Sequence, residues 1–258
     1  MTRDDLTKML ELCQDLWPDV RCGFGQIAFW AAQIGREGHE TRFFDGGWGY
    51  VDGGELEYDG RDVDVVLEWA RPEKVLKPLR DADLLARHGL RHDPAAPWMK
   101  VSARPLDHIE EPVVPFGYRL TTMADYGDFA SRAAAHRSAF APGSRMTEEV
   151  YAHVRGGWPY RADLDCVCVA PDGSVASYAL AWLDERNAVA EFEPVGTHED
   201  HRRLGLARAT NLFTLQRLRE EGARTAMVAC RGDLGQACAL YASVGFEEFE
   251  RDVTFKRA

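Results

Sequence analysis

The sequence predicts an α/β fold of the α+β kind built on a mixed sheet, and two observations in its second half indicate this. Three short apolar runs separated by turn residues, within residues 166–197, are typical of antiparallel strands in a meander. A helical segment at residues 206–221 then leads into a nearly continuous apolar run at residues 225–230, as expected for a strand buried on both faces. A meander followed by helix and buried strand is the basis of the fold prediction.

The individual elements follow from local signals. The three strands are predicted at residues 166–170, 175–183 and 188–197, with Pro171-Asp172-Gly173-Ser174 as the first turn and residues 184–187 as the second. The helix at residues 206–221 has a wide apolar arc, and Gly222 stands just past its end. A short helix at residues 236–244, closed by Gly245, and a last strand at residues 246–256 complete this half.

The turn between the third strand and the helix carries the strongest functional signal. Arg202, Arg203, Leu204 and Gly205 precede the first helical turn, where free backbone N–H groups and the positive end of the helix dipole favour an anion. Glycine has no Cβ, so an anion can approach the backbone closely, and Arg208 adds positive charge. The turn is therefore a predicted phosphate-binding site.

Two motifs in this half resemble those of the GCN5-related N-acetyltransferase (GNAT) superfamily. The family's motif R/Q-x-x-G-x-G/A is matched by Arg202, Gly205 and Ala207. Its second motif, N-x-x-A-x-x-L-Y-x-x-x-G-F, is matched by Ala237, Leu240, Tyr241, Gly245 and Phe246, with Leu234 standing where the family has Asn. The resemblance implies an acetyl-CoA-binding catalytic domain over residues 113–258. It implies that the cosubstrate contacts Val195, Gly196, Thr197, Arg202, Arg203, Leu204, Gly205, Leu206, Ala207 and Arg208.

Acetyl transfer to an amine needs a base for the amine proton and gains from an acid for the leaving thiolate. Glu191 and Glu193 are the candidate bases, because they share a face of a regular strand before the phosphate turn. Glu191 is preferred, since it lies eleven residues before Arg202, a spacing that histone-type members use; a strand bulge would choose between the two. The alternative is that both are solvated carboxylates. The resemblance makes Tyr241 the candidate acid, against an ordinary packing role.

The acceptor site is less clearly encoded. Trp158, Tyr160 and Arg161 follow a predicted helix at residues 148–155, with Thr147 as its N-cap, in the segment where the family builds its acceptor wall. These three side chains are candidates for binding substrate or, alternatively, for packing against the first half. Trp48 and Tyr50 are further candidates for a cleft between the halves.

Residues 1–110 carry no comparable phosphate turn. They predict helices at residues 6–17 and 25–35, short strands at 41–45 and 47–51, a strand at 62–70, a helix at 79–88 and a strand at 98–104. We interpret this half as a degenerate copy of the same fold, in a tandem arrangement that resembles mycothiol synthase and its relatives; an unrelated accessory domain is the alternative. Residues 110–115 are polar and contain prolines, which fits a linker.

Composition narrows the possible partners. The formal net charge of −11 argues against binding nucleic acid or an anionic membrane unaided. Neither a run of 18 apolar residues nor a signal-peptide core is present, which predicts a cytoplasmic protein. The six cysteines form no C-x-x-C pair and are interpreted as reduced thiols, with no metal site expected. The sequence does not determine the oligomeric state.

The leading hypothesis is an acetyl-CoA-dependent N-acetyltransferase that acts on the primary amine of a small molecule by direct attack. The alternative is a catalytically silent, regulatory module of the same fold that binds CoA. Nucleotide binding by a P-loop or dinucleotide fold is disfavoured, because neither glycine-rich motif is present.

Overall fold

The computed structural model describes residues 1–33 and 39–257, and its strands form one mixed sheet of twelve. The strands are β1 (His39–Phe44), β2 (Gly47–Asp52), β3 (Glu55–Gly60), β4 (Lys74–Pro78), β5 (Leu90–His92), β6 (Met99–Pro105), β7 (Arg119–Thr122), β8 (Asp165–Val169), β9 (Val175–Asp184), β10 (Val189–Thr197), β11 (Thr225–Arg231) and β12 (Glu247–Arg257). The helices are α1 (Arg3–Leu16), α2 (Phe24–Phe29), α3 (Val63–Ala70), α4 (Ala82–Arg87), α5 (Met123–Tyr126), α6 (Phe129–Ala139), α7 (Glu148–Arg155), α8 (Leu206–Glu220) and α9 (Gly235–Ser243).

The sheet contains both parallel and antiparallel pairs, which confirms the predicted fold class. Its order is β1-β2-β3-β4-β12-β6-β11-β10-β9-β8-β7, and β5 pairs with β12 beside this path. The pairs β3/β4 and β10/β11 are parallel, and the other pairs are antiparallel. Each parallel pair is joined by a crossover helix, α3 or α8, because parallel neighbours cannot be joined by a tight turn.

The two halves of the chain repeat one order of elements. The meander β1-β2-β3 followed by α3 and β4 corresponds to the meander β8-β9-β10 followed by α8 and β11. Each half also contributes a strand to the sheet of the other: β6 of the first half pairs with β11, and β12 of the second half pairs with β4. The predicted division into domains at residues 1–110 and 113–258 therefore stays a prediction. The sheet itself contains strands from both segments.

Each of the two parallel ladders is short, and beyond its last pair the two strands are no longer paired with each other. The β10/β11 ladder runs from Val189 opposite Thr225 to Phe192 opposite Val228. The β3/β4 ladder has two pairs and ends with Leu56 opposite Val75. We call the gap beyond Phe192 and Val228 the C-terminal split, and the gap beyond Leu56 and Val75 the N-terminal split.

The hydrophobic core joins the two halves. One cluster combines α1 and α2, including Leu10 and Ile27, with Leu180 and Trp182 of β9. A second cluster lies under α8, whose Leu212 and Leu215 are fully buried against β9, β10 and β11. Removing such side chains from water supplies roughly 1.5–3 kcal/mol each, so the shared cluster ties α1 and α2 firmly to the second half.

One predicted element of the first half is wrong. A strand was predicted at residues 62–70 because apolar residues recur at every second position from Val63 to Trp69, but the structure has helix α3 at Val63–Ala70. The same residues also satisfy helical spacing: Val66 and Leu67 are buried, whereas Val65 is 43% exposed. The parallel pairing of β3 with β4 requires a crossover here, so tertiary context decided between the two periodicities.

Other predictions in the first half were incomplete. Strands β3, β4 and β5 were missed, and the helix predicted at residues 79–88 is a 3₁₀ turn at Leu79–Asp81 followed by α4. The helix predicted at residues 25–35 is α2 followed by a 3₁₀ turn at Trp30–Gln33, and its remainder lies outside the described residues. Among the helices of residues 1–33 and 39–257, none has the length and apolar character needed to cross a membrane.

Candidate active site

A bulge in β10 separates the two candidate bases. Phe192 lies opposite Ala181 of β9, whereas Val195 lies opposite Ala179, so β10 contains one more residue than β9 between these pairs. The extra residue falls at Glu193 and Pro194, next to the end of the ladder with β11. Glu191 and Glu193 therefore meet different surroundings, as bulges beside active sites commonly cause.

Glu191 is buried under the first half of the chain. The Gly25 backbone N–H at the start of α2 donates a hydrogen bond of 2.9 Å to its carboxylate. A side chain at Gly25 would collide with the Glu191 Cβ, at 2.9 Å, which explains the glycine. Burial raises the pKa of Glu191 to about 7, although the Gly25 hydrogen bond and Arg21 lower it. These contacts make Glu191 a link between α2 and β10.

Glu193 lines an open cleft of ≈ 730 Å³. Burial raises the pKa of Glu193 to about 8, and the nearby charge of Glu191 adds to the increase. A carboxyl group with a pKa near the working pH is suited to take a proton from an amine and pass it on to water.

The cleft is built by both halves of the chain. Its described lining combines apolar and aromatic side chains with a few polar ones: Phe29, Ala32, Asp52, His136, Phe140, Gly143, Ser144, Arg145, Met146, Val150, Glu193 and Pro194. Such a surface, mostly apolar with sparse charges, is typical of a small-molecule site.

His136 of α6 is a fixed part of the cleft wall. Its Nδ1 lies 2.9 Å from Ser144 Oγ, and its ring stacks on Phe140 with centroids 4.7 Å apart. Burial, together with the charges of Arg132 and Arg137, lowers the pKa of His136 to about 3. The imidazole is therefore neutral at physiological pH and adds no positive charge to the cleft.

Tyr241 lies on α9 next to the C-terminal split. Its ring is 9% exposed and meets Phe246 edge to face, with centroids 5.9 Å apart. Burial raises the pKa of Tyr241 above its ordinary value, and the charge of Glu193 raises it further. Tyr241 belongs to the buried cluster that contains Phe192 and Val228, the last pair before the split, and its hydroxyl keeps its proton at neutral pH.

The predicted phosphate turn has the geometry of an anion site. Gly205 is the N-cap of α8 with φ of 77°, and Arg203 also has a positive φ of 67°. In the described part of the chain, no side chain caps the first turn of α8, and that turn holds no acidic residue. The first N–H groups of a helix of 15 residues thus face outward beside Arg202 and Arg203.

The other residues of the predicted cosubstrate site surround this turn. Arg202 donates to the Ala139 backbone oxygen at 3.3 Å, and Arg208 pairs with Glu110 at 2.8 Å. The side chains of Val195 and Thr197 are half-buried on β10. Gly196 is required by packing, because a Cβ there would lie 2.5 Å from the Tyr178 hydroxyl. The turn also contains Leu204, Leu206 and Ala207, of which Leu204 is 44% exposed.

The three predicted acceptor residues lie elsewhere. Trp158, Tyr160 and Arg161 line a separate groove of ≈ 360 Å³ that includes neither Glu191 nor Glu193. The Trp158 ring packs edge to face on Phe24, with centroids 6.1 Å apart. Arg161 pairs with three carboxylates, those of Asp163, Glu185 and Glu221. The described lining of the cleft at Glu193 thus contains none of these three residues, whereas Tyr241 packs with Phe192 and Val228 beside the split.

Sequence reasoning did not identify the cleft residues Phe29, Asp52, His136 and Phe140. They come from α2, β2 and α6, which are far apart in sequence and meet only in the fold. No local pattern marks them.

The family model described as the acetyltransferase (GNAT) family matches residues 133–246. This segment contains the cleft residues of α6, both candidate bases, the phosphate turn and Tyr241. None of the curated protein sequences matches the chain significantly.

Three solved structures illustrate the likeness of the fold. A GCN5-related N-acetyltransferase from Sphaerobacter thermophilus is 18% identical, with 99% of this chain and 93% of that chain aligned at a TM-score of 0.66. A tandem GNAT protein from the clavulanic acid biosynthesis pathway is 17% identical, with 99% and 96% aligned at 0.64. A GCN5-related N-acetyltransferase from Kribbella flavida is 17% identical, with 90% and 95% aligned at 0.56. At these identities the likeness concerns the fold.

Proposed function

We propose that this chain, whose residues 133–246 match the acetyltransferase (GNAT) family model, transfers the acetyl group of acetyl-CoA to the primary amine of a small molecule. One observation carries the proposal: Glu193 follows the last β10/β11 pair, Tyr241 packs in the buried cluster that contains this pair, Phe192 and Val228, and the uncapped N-terminus of α8 follows β10. The three parts provide a base, an acid and an anion site.

In this proposal the N-terminus of α8, Glu193 and Tyr241 have separate roles. The N–H groups of the first turn of α8, with Arg202 and Arg203, hold the phosphates of the cosubstrate. Bound acetyl-CoA supplies an activated thioester. Glu193 takes a proton from the ammonium, so that the nitrogen lone pair can attack the carbonyl carbon of the thioester. As the C–S bond breaks, Tyr241 donates a proton to the departing thiolate and recovers through solvent the second proton that the attacking nitrogen loses, which leaves the neutral amide and free CoA thiol.

Glu193 is the proposed base in preference to Glu191, which the spacing to Arg202 favours. Glu193 opens onto the cleft, whereas the carboxylate of Glu191 is held by the Gly25 N–H beneath α2. A base must reach the proton that it removes, so access decides between two carboxyls whose pKa values are both raised.

The competing proposal is a silent module that binds CoA without turnover. Release of free thiol from acetyl-CoA, measured by exchange with an aromatic disulfide reagent across a panel of primary amines, distinguishes the two. The proposal predicts release that depends on the amine and on its concentration, above a control without amine. Binding of acetyl-CoA in the absence of thiol release with every amine of the panel would favour the silent module.

A further inference from the structure

Two thiols lie in contact beside the C-terminal split. Cys230 of β11 and Cys238 of α9 have their Sγ atoms 3.8 Å apart. Cys230 is two residues beyond Val228, the last residue of β11 that pairs with β10. Residues two apart on a strand share a face, and both Val228 and Cys230 pack in the cluster under α8. The thiol pair therefore borders the gap between β10 and β11.

Access from solvent distinguishes this pair from the other cysteines. All six cysteines belong to the described part of the chain, and four of them are buried: Cys13, Cys22, Cys166 and Cys168. Cys230 and Cys238 are half-buried, so a small solute can reach them. Cys13 and Cys22 also lie close together, with sulfur atoms at most 4.8 Å apart, but inside the core. They provide an enclosed pair for comparison with the accessible one.

The two accessible thiols differ in their readiness to react. The thiolate is the form of cysteine that attacks a disulfide. Burial, followed by the hydrogen bond with Cys238, raises the pKa of the Cys230 thiol. Cys230 is therefore a poor first nucleophile at neutral pH, which leaves Cys238 to attack first. Cys230 attacks second, when its target sulfur is already in contact with it.

A bond between the two cysteines would join α9 to β11 at the proposed cosubstrate site. A disulfide needs about 2.05 Å between its sulfur atoms, which is shorter than the present contact, so its formation draws α9 and β11 together. Tyr241 follows Cys238 by three residues and lies on the same side of α9. The bond would thus hold the helix that carries Tyr241 against the strand that borders the split.

We propose that Cys230 and Cys238 are a redox-sensitive pair, and that exchange with a small-molecule disulfide links them and hinders entry of the cosubstrate. Cys238 loses its proton to water and attacks the disulfide, from which one thiolate departs and takes up a proton. Cys230 then loses its proton and attacks the Cys238 sulfur, so the second thiolate departs likewise. Two protein thiols are oxidised and one disulfide is reduced to two thiols. The effect on the cosubstrate rests on the proposed function, whereas formation of the bond does not.

Equilibration of the intact chain with reduced and oxidised glutathione tests formation of the bond. After an acid quench and alkylation in denaturant, peptide mass spectrometry should find Cys230 bonded to Cys238, with Cys13 and Cys22 still alkylated as thiols. Cys230→Ser should stop at a mixed disulfide between Cys238 and glutathione. Cys238→Ser should react about tenfold more slowly or less, because the remaining thiol forms little thiolate.

Binding of acetyl-CoA tests the consequence without relying on turnover. Calorimetric titration should show about tenfold weaker binding to the oxidised chain than to the reduced chain, with recovery after treatment with dithiothreitol. The double variant Cys230→Ser/Cys238→Ser should bind equally in oxidising and reducing buffer. By linkage, saturating acetyl-CoA should shift half-oxidation of the pair toward more oxidising buffers.

The possible failures are distinguishable. Absence of the bond from the folded chain in excess oxidised glutathione, or equal reaction of the enclosed pair, would overturn the inference. A bond that leaves the affinity for acetyl-CoA unchanged would overturn its effect on the cosubstrate. A reduced chain that does not bind acetyl-CoA would instead reject the proposed function, and formation of the bond would then decide the inference by itself.

Discussion

The two splits in the sheet have the same arrangement of strands and crossover helix, but the residues at the start of the crossover helix carry opposite charge. The crossover helix of the C-terminal split, α8, has 15 residues, follows Arg202 and Arg203, and has no acidic residue in its first turn. The crossover helix of the N-terminal split, α3, has 8 residues, with Asp62 as its N-cap and Asp64 in its first turn. Carboxylates at a helix N-terminus satisfy the dipole that would otherwise attract a phosphate.

The side chains inside the two splits also differ in charge. Two residues beyond the last parallel pair, β11 has Cys230 and β4 has Lys77. Lys77 is bound within the protein, because its Nζ lies 2.8 Å from Asp59 Oδ1 and also donates to the Tyr58 backbone oxygen. An ion pair thus occupies the N-terminal split. The backbone of the two splits repeats, and under the proposed function a few side chains decide which split accepts the cosubstrate.

The largest effect is expected for the base. Glu193→Gln keeps size and polarity but cannot take a proton, so kcat/KM for a monoamine should fall by about 10²–10⁴-fold at about pH 9. Because burial raises the pKa of Glu193 to about 8, the carboxyl of the unmodified protein is mostly protonated at pH 7, and the deficit should be smaller there. Below the amine pKa of about 10.4, most of the amine carries a proton, and the deficit should shrink as the pH approaches that value. Glu191→Gln is the control, and pH–rate profiles of the three proteins are the measurement. A larger loss in Glu191→Gln than in Glu193→Gln would reverse the assignment.

A smaller effect is expected for the acid. Tyr241→Phe removes one hydroxyl and keeps the ring that packs on Phe246, so kcat should fall by about 10²-fold while acetyl-CoA affinity stays nearly constant. Steady-state kinetics and a binding titration together separate the two quantities. An unchanged kcat would leave Tyr241 with a packing role.

The phosphate turn can be tested against the opposite end of the same helix. Gly205 and Gly222 flank α8, both have positive φ, and a Cβ at either would meet no atom within 4 Å. Gly205→Leu and Gly222→Leu should therefore destabilise the fold similarly, by about 1–2 kcal/mol. Gly205→Leu alone should weaken acetyl-CoA binding, by about tenfold or more, because its side chain enters the anion site. Thermal unfolding and calorimetry measure both properties, and equal affinities would refute the assigned turn.

The second half of the chain was predictable because its signals are local. The meander, the Arg202–Gly205 turn and the apolar arc of α8 each lie within one short window, and the structure confirms these elements. The strands of the first half were harder, since β3 alternates Leu56 and Tyr58 with acidic residues in only six positions. The sequence of the crossover helix α3 fits both the spacing of a strand and that of a helix. Only the parallel pairing of β3 with β4, which requires a crossover between them, decides in favour of the helix.

Only part of the candidate site could be predicted from the sequence, because the rest depends on contacts between distant segments. Its chemical residues follow motifs, but the surroundings that distinguish Glu191 from Glu193 depend on the register with β9 and on contact with α2. The cleft joins Phe29, Asp52 and His136 from three distant segments. Such long-range contacts leave no mark in any short stretch of sequence.

The most direct test of the central comparison is the number of acetyl-CoA sites on the intact chain. Calorimetric titration should give one site per chain, because the first turn of α8 follows two arginines and holds no acidic residue, whereas α3 begins with the negative charges of Asp62 and Asp64. In Gly205→Leu that single site should be weakened and no second site should remain. Two sites per chain, or a site that survives unchanged in Gly205→Leu, would contradict the assignment of the cosubstrate to the C-terminal split.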